Sequence, residues 1–328
     1  MKLPHFIILF VVIYSFPLLF TEYRYQYAKQ TMKENQKHEL SMTTATHDAV
    51  NILRTNVKTE LENGYESYKI NPVNPQPAFE TFMKTLSLQY GVELDYSMDR
   101  LARYVPIFAV VDYDGLLLNV YKEYKDDRGD KVLNRVWLPK IPFSYLDKEG
   151  NIINFTIDEE VEVYDVELGE WFEGTREELI EDPEVTISFL EDKETFHNVR
   201  RTTIVNTLQE HLAYYINEHN VYTKSLDVTY KFMLPYIPKE DWYNTVDDIS
   251  ILAFFQGYPS ILENVFYQQY AFVGTRLQFN DRILAGDVNG QKRFWFESCG
   301  YPFTAKEIYS SKKDAAAKGY SELSCLNN

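Results

Sequence analysis

Cys299 and Cys325 are the only thiols of this 328-residue chain. Such a pair can close a disulfide, occupy two corners of a metal site or remain two separate thiols. Two thiolates leave a four-coordinate zinc site half built, and no histidine follows His219 to complete it. In an oxidising compartment the expected outcome is a structural disulfide between Cys299 and Cys325, worth about 3 kcal/mol through the loop it closes. His211 and His219 project about 80 degrees apart on a helix, an awkward offset for one shared metal, and there is no HExxH motif. Both are read as surface or helix-end residues. Asp112 and Asp114 could open a calcium loop, but its later oxygen ligands and closing glutamate are missing. Arg128, Gly129 and Asp130 match a cell-adhesion tripeptide by letters, and their flanks mark an ordinary polar turn.

Residues 147–184 hold fifteen Asp or Glu against Lys148 and Arg176. Divalent ions or a basic partner could use such a block, yet no two of its carboxylates stand out as a general acid and base. The chain has no P-loop, dinucleotide fingerprint, GxSxG elbow or CxxC. No catalytic residue, cofactor-binding residue or metal ligand is therefore nominated, no cofactor is expected, and the chain is read as non-catalytic. With a formal charge of −16 and no basic cluster, nucleic acid is excluded as a partner, because phosphate binding needs concentrated Lys and Arg.

These side chains must be held by something, and the first element is apolar. Residues 3–20, LPHFIILFVVIYSFPLLF, contain no Asp, Glu, Lys or Arg and as a helix would reach about 27 Å, close to the hydrocarbon thickness of a bilayer. No small-residue cleavage site follows, so residues 1–22 are expected to be a retained transmembrane anchor, with Pro17 kinking or ending its last turn. Arg24, Lys29, Lys33 and Lys37 follow the span and only Lys2 precedes it, a bias toward a cytoplasmic tail. The size of the following domain and the two cysteines favour an extracytoplasmic one.

Residues 23–64 continue as a long helix or stalk, in which Ala45, Ala49, Leu53, Val57 and Leu61 share a stripe, though MTTATH could divide it. Residues 65–285 read as an α+β domain. A helix is expected over 77–90, with Phe79, Phe82, Met83, Leu86 and Tyr90 on one face, then two strands around the turn at Asp112 to Gly115. In VEVYDVELGEWFEG, Val161 and Val163 should face inward and Glu160, Glu162 and Asp165 outward. Further helices are expected over 200–218, buried along Ile204, Leu208, Leu212 and Tyr215, and within 259–272. Residues 286–328 form a small module. It comprises a hairpin turning at Asn289 and Gly290 and a short helix capped by Ser310 or Ser311 and stopped by Gly319. The fold class is thus α+β: an N-terminal transmembrane helix continuing into a long amphipathic helix, then a mixed helix and antiparallel-sheet region.

Two resemblances bear on function. The stretch from Phe294 to Cys325, with IYSSKKDAAAKGYSELSC after the first cysteine, resembles the metal-binding module of the Ada DNA-repair protein and related tail modules of bacterial envelope proteins. In that family four cysteines hold zinc. Cys299 and Cys325 match one from each half and the other two are absent, which implies a degenerate copy kept as a bridge-stabilised cap. The front part, with THDAVNILRTN and INPVNPQPAFETFMKTLSLQYG, is similar to membrane-anchored pilin-like proteins of Gram-positive Tad-type pilus or secretion clusters. That similarity implies a cell-membrane, single-pass protein. It would act as a structural or assembly component, contacting envelope proteins or its own copies through the N-terminal helix, with residues 3–20 in the membrane. An extracellular ligand-binding module and a hydrolase with dispersed active-site residues are the alternatives.

Overall fold

The computed structural model describes residues 3–55, 73–92, 96–183, 185, 187–259, 266–274, 283–288, 290–296, 301, 303–309 and 312–323. Cys299 and Cys325, the expected disulfide pair, lie outside the described residues, as do Val57, Leu61, Ser310 and Ser311. The fold is α+β, in two compact units, residues 1–274 and 275–328. The second unit begins earlier than the hairpin signal at 286 suggested.

Helix α1 (Leu3–Thr55) is continuous. It neither ends at Pro17 nor divides at MTTATH. Pro17 sits inside the helix, and the hydroxyls that could have broken it bond back to its own carbonyls instead, Ser41 Oγ to Lys37 O at 2.9 Å and Thr46 Oγ1 to Met42 O at 2.8 Å. The two ends of α1 differ. Phe10, Val11, Ile13, Phe16, Leu18 and Leu19 are exposed, whereas Met42, Ala45, Ala49 and Leu53 are buried. The small side chains at 45 and 49 let the helix lie close against α2 (Pro75–Tyr90). Thr85 Oγ1 adds a 2.8 Å hydrogen bond to Asp48. Among the described residues, no helix is long and apolar enough to cross a membrane; the side chains of residues 3–9 and 12 lie outside them.

Helix α2 starts with proline in its first turn and ends at Gly91, whose φ of 64° closes the last turn. Of its expected stripe, Phe82, Met83 and Leu86 are buried, and Phe82 packs 5.2 Å from Phe108. A short α3 (Tyr96–Ala102) leads to the sheet. Strands β1 (Ile107–Val111) and β2 (Gly115–Lys125) pair antiparallel around the expected turn, where the Asp112 N–H donates to Gly115 O at 2.8 Å. The Lys140 ammonium, not a metal, sits between Asp112 and Asp114 at 2.8 and 2.6 Å. Burial works against that ammonium, yet the two carboxylates raise its pKa. The Arg128 to Asp130 turn joins β2 to β3 (Lys131–Trp137), with Gly129 at φ 84°.

Strands β4 (Ile141–Leu146), β5 (Ile152–Phe155), β6 (Glu160–Asp165) and β7 (Glu170–Thr175) extend the sheet on one side of β2. On the other side, β8 (Ser250–Pro259) pairs with β1, and β9 (Phe266–Gly274) closes the edge. All these pairings are antiparallel, and helices α4 (Arg176–Glu181), α5 (Lys193–Tyr222) and α6 (Lys239–Thr245) lie in the chain between β7 and β8. Val161 and Val163 face the core as expected, but Glu160 and Asp165 are buried too. Each carboxylate has donors there: the Tyr113 hydroxyl for Glu160 at 3.0 Å, and the N–H groups of Glu167 and Leu168 for Asp165 at 2.8 and 3.1 Å.

The helix expected within 259–272 is a strand over its described part. β8 is buried at every position from Ser250 to Gln256, so its open side demands a hydrogen-bonded neighbour, and β9 supplies it with Ala253 opposite Ala271 and Leu252 opposite Phe272. Beyond Gln256 the register shifts, and Gly257 at φ 76° passes over Tyr230. A Cβ there would stand 2.6 Å from the ring. Gly257→Ala is therefore expected to cost about 3 kcal/mol through backbone strain and overpacking together. A urea midpoint equal to that of the wild type would refute this.

In the second unit, β10 (Ile283–Val288) and β11 (Gln291–Phe296) form the expected hairpin, with Gly290 at φ 77°. β12 (Glu307–Tyr309) pairs with β10, and β13 (Ser321–Glu322) runs parallel to β11. Helix α7 (Lys312–Ala317) ends before Gly319, whose φ is 83°. Ala285, Phe294, Ala315 and Tyr320 make the unit's small core.

Candidate functional site

The long helix α5 (Lys193–Tyr222) positions a polar cleft of the first unit. It is longer than the 200–218 expected, because Asp192 caps it with a 3.1 Å bond from the Glu194 N–H. Ile204, Leu208, Leu212 and Ile216 are buried, and Arg200 falls on that same stripe one turn earlier. The first turns of α5 bring Glu194, His197, Asn198, Arg200 and Arg201 to a cleft of about 530 Å³. Ile157, Asp158 and Glu159 enter from the β5–β6 loop and Asp247 from the turn before β8.

Asp247 is the hub. Arg200 donates to its Oδ1 at 2.7 Å, and Arg201 grips both oxygens, Nη2 donating to Oδ2 at 2.7 Å and Nε to Oδ2 at 3.0 Å and Oδ1 at 3.2 Å. Burial alone would raise the Asp247 pKa, but the two guanidiniums outweigh it and hold the carboxyl below its usual range. The Arg200 side chain is only 3 % exposed. Its Nε and Nη1, like His197 Nδ1, are buried with no hydrogen-bond partner among the described residues. On the other wall Glu159 accepts from Lys193 at 3.0 Å and lies 3.4 Å from His197 Nε2. Burial, then the charge of Arg200, lowers the His197 pKa, which keeps the ring neutral at pH 7. The lining contains no hydroxyl or thiol nucleophile. The arrangement can orient polar groups, and two of its carboxylates, Asp247 and Glu159, are engaged by Arg200, Arg201 and Lys193.

A second cleft of about 480 Å³ lies between α2, α3 and the β2–β3 hairpin. Glu80, Asp99, Arg103 and Arg135 are its charged residues, and Arg135 has no ion-pair partner among the described residues. It lies between the rings of Phe79 and Tyr121 at 4.7 and 5.1 Å, and donates to Val105 O at 2.7 Å, to Ala102 O at 3.2 Å and to the Asn119 side chain. Burial lowers its pKa. Backbone carbonyls do here what a carboxylate does for Arg200.

His219, read as a surface or helix-end residue, lies in the last turn of α5 and is buried there. Its Nε2 bonds Arg103 O at 3.1 Å and its ring stands 4.5 Å from Phe232. His211 is partly exposed and stacks at 6.5 Å on Tyr215, so the two histidines share no site. Among the described residues no group of three His, Cys, Asp or Glu is placed to hold a metal. Arg200, Arg201, Asp247 and Arg135 were not singled out from the sequence. The available signal was Arg200 itself, a charge four residues before Ile204 on the apolar stripe of a helix. No family model, curated protein or solved structure matches this chain.

Proposed function

We propose that the protein is a non-catalytic, membrane-anchored component of an envelope assembly, in the manner of a pilin-like subunit. The observation that carries this is the division of α1: its second half is built into the core of the first unit, while the described residues from Phe10 to Phe20 are bare on nearly every side. A helix apolar all round needs an apolar environment, and with the charge-free run of residues 3–20 a bilayer or the equivalent helices of other copies would supply it. The fused half then transmits its position rigidly to the sheet. In this reading the chain crosses the cell membrane once, and its C-terminal part is extracytoplasmic, where Cys299 and Cys325 would pair. The polar cleft favours the ligand-binding alternative less, since Arg200 and Arg201 take Asp247, and Lys193 and His197 take Glu159.

The test is deletion of residues 3–20, whose described side chains contact little of the fold. In carbonate-washed membranes the full chain should stay in the pellet and the deletion variant should move almost entirely to the supernatant. Thiol alkylation of the membrane-bound protein before denaturation should label neither cysteine until a reductant is added. A full chain released by carbonate would overturn the anchor; full labelling without reductant would overturn the extracytoplasmic placement.

A further inference from the structure

One line across the outward face of β4 to β7 departs from the polar exterior of the sheet. The registers place Leu146 opposite Ile152, Ile152 opposite Tyr164 and Tyr164 opposite Trp171, so each strand contributes one apolar side chain to a single row. Leu146 is 66 % exposed, Trp171 51 % and Ile152 37 %, and the Tyr164 and Trp171 rings stand 5.1 Å apart. The same strands bury Ile153 and Val163 on their other face. The next outward row, Ser144, Asn154, Glu162 and Glu173, is polar as a wetted sheet face should be. Exposed Val166 and Leu168 of the β6–β7 turn lengthen the apolar line. Val166 N–H ties that turn to Asn151 of the neighbouring one at 3.0 Å. Glu149, Glu162, Glu167, Glu170 and Glu173 frame the row, and Lys148 is the one basic residue between 146 and 175.

We propose that this acid-framed apolar row is the docking surface for a basic amphipathic helix of another protein. Three inter-strand spacings make the row about 14 Å long, roughly two and a half helical turns, so apolar side chains at i, i+4 and i+7 of a helix can lie along it. Flanking Lys or Arg on that helix would meet the glutamates, which also steer the encounter. A second copy of this chain is disfavoured as the occupant, because it would set glutamates against glutamates. The Tyr164 and Trp171 pair, at the β7 end of the row, supplies the aromatic anchor that such interfaces favour. The proposal does not depend on anchoring: the row lies on the sheet of the first unit and is there whether or not residues 3–20 enter a bilayer.

The experiment titrates the full chain in detergent with a labelled synthetic amphipathic helix of leucine and lysine. A scrambled peptide of the same composition and a leucine–glutamate counterpart serve as controls. Peptide binding to micelles cancels when variants are compared. The leucine–lysine helix should bind most tightly, in a salt-sensitive way, and Trp171→Ser should weaken it about tenfold. Ile152→Thr, a substitution suited to an exposed strand position, should act in the same direction. Glu170→Gln with Glu173→Gln should weaken binding and flatten its salt dependence. Wild-type affinity in both Trp171→Ser and Ile152→Thr would reduce the attraction to charge alone and overturn the proposal. Self-association of the wild type that Trp171→Ser abolishes would overturn it too, by assigning the row to a second copy.

Discussion

Asp247→Ala is expected to destabilise the first unit by about 4 kcal/mol, the usual cost of removing one member of a buried ion pair. The reason is what stays behind. Arg200 is 3 % exposed and pairs with Asp247, and two of its guanidinium nitrogens have no acceptor among the described residues. Without Asp247 its charge would be buried and unpaired. Arg201 is more than a third exposed and can turn to water, so it adds little to the loss. Arg200→Met with Asp247→Ala should recover most of the stability, because a long apolar side chain suits the α5 stripe and carries no charge to strand. Urea denaturation followed by circular dichroism reads both. A loss below about 1 kcal/mol in the single variant, the level of a surface pair, would mean that the cleft admits enough water to solvate Arg200.

The second large effect is on pH dependence. Burial, assisted by the charge of Arg135, lowers the His219 pKa to about 3. Burial and then Lys37 lower that of His38 to about 4, against the weaker pull of Glu34. Both start from an ordinary value of 6.5. Between the folded and unfolded values the unfolded chain binds more protons, so stability rises with pH there and is lost as pH falls. The full contribution is present above pH 6.5, and the loss is complete only below each folded value. Well inside the window each histidine should contribute a slope of about 1.4 kcal/mol per pH unit. Urea midpoints between pH 7 and 5 read this slope. His219→Phe keeps a ring beside Tyr121 and Phe232 but cannot titrate. It should be less stable at pH 7, because Arg103 O loses its donor, and should show a clearly shallower slope. Identical slopes in the two proteins would refute the assignment.

His38 also marks where α1 enters the fold. Its ring stacks on Tyr90 at 5.0 Å and its Nδ1 is hydrogen-bonded to the Tyr90 hydroxyl. Residues before it are mostly exposed, and residues after it supply the stripe at Met42, Ala45, Ala49 and Leu53. Protonation at His38 would therefore loosen the joint between the bare and the embedded halves of one helix, which links the acid sensitivity to the proposed role of α1 in placement.

Much of the local structure was legible in the residues themselves. The stripe from Ala45 to Leu53, the Phe82 to Leu86 face, the hairpin turn at Asp112 to Gly115, the alternation of Val161 and Val163 and the stop at Gly319 all rest on neighbours a few residues apart in the chain. Their period or turn chemistry is complete within one window. Other features were settled by residues far away in the chain. Tyr270 to Val273 form a strand because β8 needed an edge partner, and His219 is buried because Phe232 and the Arg103 carbonyl meet it. Glu160 and Asp165 went inside where hydroxyl and amide donors awaited them, and Arg200 and Arg201 became a clamp only when Asp247 arrived from 46 residues along the chain. The sequence by itself determined an α+β chain with a long helix, apolar at its start, and an acidic exterior, because composition and periodicity are local properties. The tertiary structure alone decided which charges are buried, which strand closes the sheet and which apolar side chains line up uncovered from Leu146 to Trp171. Burial and register belong to pairs of segments, and neither segment specifies them alone.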